Sequence, residues 1–143
     1  MESIPRTTHH AENTWLIEGS ATYFESDRPG DFIPERTAQL KEHAREGTLI
    51  PLRQIVNSRS PQGLFVFGSE ERVQLAYAES WILFHWLMQP QQRNRFFNYV
   101  RYVRDIKHMD ELALQPRLEI LAEAMGLSVA QFNRRWHTYV ERL

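Results

Sequence analysis

The stretch SEERVQLAYAESWILFHWLM, residues 69–88, constrains this chain more than any other part of it. Val73, Ala76, Tyr77, Ser80, Trp81, Phe84 and Met88 recur at steps of three and four residues, the spacing of one face of an α-helix. Leu83 and Leu87 widen that stripe. Ser69 stands where a capping hydroxyl is useful, and Glu70 and Glu71 put negative charge at the positive end of the helix dipole. A helix over roughly 70–88 with so broad an apolar face needs neighbours on several sides. It is therefore predicted to be the central element of a helical domain.

The remaining segments supply those neighbours. A first helix starts near Asn13 or Thr14, both acceptable N-caps. Leu16, Gly19, Ser20 and Tyr23 fall on one of its faces and Ile17, Ala21 and Phe24 on another, so burial on more than one side is expected. Pro29, Gly30 and Pro34 interrupt it. A second helix, ERTAQLKEHAREG, is charged on most sides, has Ala38 and Leu40 as its few apolar positions, and stops at Gly47. Exposure and only partial packing are expected of it. Pro51 suits the first turn of a short helix in LIPLRQIV, NSRSPQG reads as a loop, and LFVF is too short to divide between extended chain and strand.

Pro90 opens QQRNRFFNYVRYVRDI, with Phe96, Val100 and Val103 inward and arginines outward; HMDELALQ connects onward. RLEILAEAMG ends at Gly126, and Ser128 caps VAQFNRRWHTYVERL, whose Phe132, Trp136, Tyr139 and Val140 face inward. The fold class is mainly α: a single compact helical domain of five to seven helices over 13–143, preceded by a flexible polar arm over 1–12.

Composition narrows the function classes. A chain of 143 residues can bury one core. Its net charge of −1 gives no field that recruits nucleic acid, and the alternation of arginine with aromatics in RNRFFNYVRYVR is that of one amphipathic helix, so no nucleic-acid partner is expected. The absence of cysteine removes disulfides, thiol catalysis and cysteine-based zinc sites. No apolar run approaches the roughly 20 residues of a membrane span. MESIPRTTHH has no apolar signal core, although upstream sequence could change that, so the compartment is left unknown.

The segment that carries chemistry is TWLIEGSATYFE, residues 14–25, which sets one carboxylate, Glu18, between Ile17 and Gly19. Read from the residues alone, Glu18 is either an ordinary solvated helix residue or a carboxylate that faces something needing negative charge. The segment resembles the WLxEGxAxYxE signature of gluzincin zinc metallopeptidases, which contributes the third zinc ligand. LAYAESWILFHWLM resembles the second recurrent block of the peptidase-MA-like branch, a bacterial family described as a domain of unknown function. AMGLSVAQFNRRWHTYVERL resembles its closing helix. The resemblance runs from Trp15 to the end in the family's order, and implies the C-terminal helical half of a thermolysin-like peptidase domain.

The resemblance implies a role for particular residues. Glu18 would be the third zinc ligand, beside two histidines from an H-E-x-x-H helix. Two imidazoles and a carboxylate leave one zinc position for a water whose pKa the metal lowers to about 7. Gly19 and Ala21 would let that helix approach, Trp15 and Leu16 would anchor the segment, and Tyr77 could face the cleft and stabilise an oxyanion. A core tyrosine with a satisfied hydroxyl is the alternative for Tyr77, and His85, between Phe84 and Trp86, reads as a satisfied buried or boundary histidine.

The chain departs from the family at its centre. None of His9, His10, His43, His85, His108 and His137 is followed by the glutamate and second histidine of H-E-x-x-H. His9 and His10 could substitute as ligands from the arm, but a solvated terminus is the simpler reading. The expectation is a catalytically silent fragment or truncated homologue of a zinc-dependent peptidase, with zinc in an intact member and none bound by this chain. A peptide substrate would need the missing half. The alternative is a non-catalytic helical protein–protein interaction module. Without a covering helix, the face of Trp15, Leu16, Gly19 and Tyr23 is expected to self-associate or to fold against another part of the chain.

Overall fold

A computed structural model describes residues 13–25, 28–58, 68–105 and 116–143. The described residues form seven helices and no strand: α1 (Thr14–Glu25), α2 (Pro34–Glu46), α3 (Leu52–Val56), α4 (Glu70–Leu87), α5 (Arg93–Asp105), α6 (Arg117–Ala124) and α7 (Val129–Glu141). The stretch LFVF and the residues on its N-terminal side from 59 lie outside the described residues, as do the arm over 1–12 and all of HMDELALQ.

Helix α4 is the axis of a single compact domain. Every residue from Ala78 to Leu87 is buried, because α1 lies along one side of it and α2, α3 and α7 pack on others. Ser69 caps it by accepting a hydrogen bond from the Arg72 amide at 3.1 Å. At the other end of the chain Ser128 and Gln131 form a reciprocal capping box on α7. Gly47 and Gly126 follow α2 and α6 with φ of +71° and +77°, the left-handed conformation that ends a helix at least cost with glycine.

The faces differ from the sequence reading in places, each for a packing reason. On α1, Trp15 and Gly19 are buried, but Ala21 is exposed and Phe24 is 56% exposed, so burial on more than one side does not occur. Helix α4 covers one face and no described element covers the other. On α2, Leu40 is buried together with Ala44 one turn on, while Ala38 is exposed, since α7 and α4 meet only that stripe. On α5, Tyr99 is buried with Phe96 and Val103, and Val100 is only half-buried. Phe132, Trp136 and Val140 of α7 are buried, and Tyr139 is half-buried at its edge.

Polar ties hold the short elements. Arg53 on α3 donates to both carboxylate oxygens of Glu119 on α6, at 3.0 and 2.7 Å. Arg95 donates to the Met125 carbonyl at 2.8 Å, and Arg117 to that of Asn57 at 3.1 Å.

Candidate functional site

Helix α1 carries Glu18 and is held against α4 by contact at Gly19. A β-carbon on Gly19 would collide with the Ser80 carbonyl oxygen and stand 3.1 Å from Cβ of Phe84. The glycine that the sequence reading assigned to admitting a metal-bearing helix therefore admits α4 instead. Trp15 is fully buried, with its ring centroid 6.5 Å from that of Phe96. Tyr23 is half-buried, edge-on to Phe84 and His85. Of the face expected to lack cover, Trp15 and Gly19 are thus buried within the chain, and Leu16 and Tyr23 are half-buried.

Glu18 is half-buried on α1, and Tyr77 is half-buried on α4. The two are near enough to interact: the Tyr77 hydroxyl has its pKa raised first by burial and then by the negative charge of Glu18. His9 and His10 lie outside the described residues. Among the described residues, no group of three or more histidine, aspartate or glutamate side chains is placed to hold a metal ion. One carboxylate beside one phenol does not fit the four-ligand demand of zinc, and no catalytic step through a metal is derived for this chain.

His85 is buried. Its Nε2 lies 2.5 Å from the Gly30 carbonyl oxygen, which can only accept, so Nε2 carries the proton. Nδ1 then accepts from the Tyr139 hydroxyl at 3.1 Å. Phe32 stacks on the ring at 4.2 Å between centroids. Burial lowers the histidine's pKa, and the neutral ring pins the chain after α1 to α4 and α7.

Glu79 was missed by the sequence reading. It is 0% exposed, and its Oε2 accepts from the Ile50 amide at 2.6 Å, while Oε1 has no hydrogen-bond partner among the described residues. Burial pushes its pKa up to about 8 against the smaller opposing effects of the Ile50 amide and Arg72. The available signal was an acid set between Ala78 and Ser80 inside an otherwise apolar stripe.

A groove of ≈ 780 Å³ opens away from this seam, between α2, α4 and α7. Phe32, Trp86 and Tyr139 form its apolar part and Arg134, Arg135 and Arg142 its rim; neither Glu18 nor Tyr77 lines it.

Comparison with family models, with curated proteins and with solved structures finds no match to this chain.

Proposed function

We propose that this chain is the helical half of a gluzincin-like zinc-peptidase domain, with Glu18 the counterpart of the third zinc ligand, and that it is catalytically silent by itself. What supports the reading is the seam between α1 and α4: a carboxylate in the WLIEGSATYFE segment couples electrostatically to Tyr77 on the next block of the resemblance. In this reading the imidazoles come from sequence outside residues 1–143, and zinc and a peptide substrate belong to the completed domain. Tyr77 would then serve as a hydrogen-bond donor toward an oxyanion. Self-association belongs to the same reading. With Trp15 and Gly19 taken up by α4, the surface left for a second copy is the edge bearing Leu16, Tyr23 and the exposed Phe24.

The nucleotide sequence ahead of the Met1 codon tests the proposal. An in-frame H-E-x-x-H helix there supports it, and a reading frame without one sinks it. The 143-residue chain should show no stoichiometric zinc in elemental analysis. One equivalent that disappears in Glu18→Ala would instead make it a complete site.

A second reading, a helical protein–protein interaction module, is favoured by the groove, which combines apolar rings with three exposed arginines.

A further inference from the structure

The groove between α2, α4 and α7 has a distribution of charge that the chain as a whole does not. The sequence holds 17 basic and 18 acidic residues, yet the groove is lined by three arginines and no acidic side chain. Arg134, Arg135 and Arg142 are exposed. Among the described residues none of their guanidinium groups takes part in an ion pair or side-chain hydrogen bond. Between the cations lies an apolar floor. Trp86 and Tyr139 have ring centroids 6.0 Å apart, and Phe32, 50% exposed, is held upright by stacking on His85.

The spacing defines what fits. Arg135 and Tyr139 on α7 and Arg142, the residue that follows its last turn, stand at i, i+4 and i+7, so the backbone positions of the two arginines are about two turns or about 10.5 Å apart. A peptide in the polyproline II conformation advances about 3.1 Å per residue with three residues per turn, so acidic side chains three residues apart lie on one face about 9.3 Å apart and match that spacing. The two residues between them project to either side of that face, toward the apolar rings that line the groove, which suits large apolar side chains.

We infer that this groove binds an acidic peptide segment of a partner protein, with two carboxylates three residues apart flanking a bulky apolar pair. The inference rests on the interaction-module reading and does not involve Glu18. The carboxylates pair with Arg135 and Arg142, Arg134 adds positive potential beside them, and the apolar pair covers the exposed ring of Phe32. Neutral His85 under Phe32 and Tyr139 keeps the floor in place without adding charge.

Fluorescence anisotropy on the full chain tests this, using a labelled peptide with the core Asp-Leu-Phe-Asp. Comparison ligands carry Ser or Lys in place of the two Asp, and a labelled single-stranded oligonucleotide completes the set. The acidic peptide should bind saturably and weaken with added salt. Binding should fall at least about tenfold in the Arg135→Glu, Arg142→Glu double variant and change less than about twofold in Arg101→Glu on α5. Circular dichroism should be unchanged, because both groove arginines are exposed. Neutral-peptide binding that survives the double reversal retains the interaction-module reading and overturns the acidic partner. Oligonucleotide binding tighter than the peptide's and lost in the double variant assigns the groove to nucleic acid and overturns it too. No binding by any peptide overturns both.

Discussion

Gly19 on α1 meets the backbone of Ser80 on α4 so closely that the space for one β-carbon is missing: the carbonyl carbon of Ser80 would be 3.0 Å from it. This contact seats the Glu18-bearing helix on the central helix, and backbone cannot move aside as a flexible side chain can. Gly19→Ala should therefore destabilise the domain by about 1–3 kcal/mol, as overpacking does, despite the higher helix propensity of alanine. Ala21→Gly, on the exposed face of the same helix, should cost about 1 kcal/mol from propensity alone. Urea denaturation of the two variants checks the order; equal effects would remove the close approach from the account.

The coupling between Glu18 and Tyr77 has its own readout. Glu18→Gln removes a negative charge that raises the phenol's pKa, so Tyr77 should ionise at a lower pH in the variant. Ultraviolet titration, with Tyr77→Phe to assign the signal, measures it. An unchanged midpoint would separate the two residues and withdraw the support they give to the proposed function.

Glu79 makes stability depend on pH in a defined direction. Its carboxyl is held up to about 8 in the fold, against 4.5 as the ordinary value. The folded state therefore keeps a proton that the unfolded state has lost between those limits. Its contribution is fully present below about pH 4.5, declines as pH rises through the window, and levels off above about 8. His85, with a lowered pKa, acts in the opposite sense at the acid end. The difference between the native chain and Glu79→Gln isolates the carboxyl. Relative to the variant, the native protein should lose stability by a few kcal/mol, in order of magnitude, from pH 5 to pH 8. Parallel stability curves would mean that Glu79 is ionised in the fold.

Much of the helical framework was legible in the sequence because periodicity and caps are local. Ser69, Ser128, Gly47 and Gly126 mark ends of α4, α7, α2 and α6 where the residues suggested. What was not legible depends on partners distant in sequence. Glu79 reads as a solvent residue until the Ile50 amide, 29 residues away, is brought to it. Tyr99 carries a hydroxyl and was passed over in favour of Val100, yet it is the one buried. Phe24 has the apolar character of a core residue but stands at the edge of the α1–α4 seam, edge-on to Phe84 and 56% exposed. The groove joins Phe32 to arginines more than a hundred positions later, beyond any local pattern. For the candidate site, Glu18 and Tyr77 can be singled out in the sequence one at a time; the electrostatic effect of one on the other depends on the packing of α1 on α4.

Zinc stoichiometry tests the central claim most directly. It should be measured by elemental analysis on the 143-residue chain and on the product of the full reading frame that contains it, each with and without Glu18→Ala. The account predicts no stoichiometric zinc in the 143-residue chain and one zinc in the product that supplies H-E-x-x-H, lost on Glu18→Ala while the helical content is retained. Zinc that stays bound in the Glu18→Ala product would contradict it.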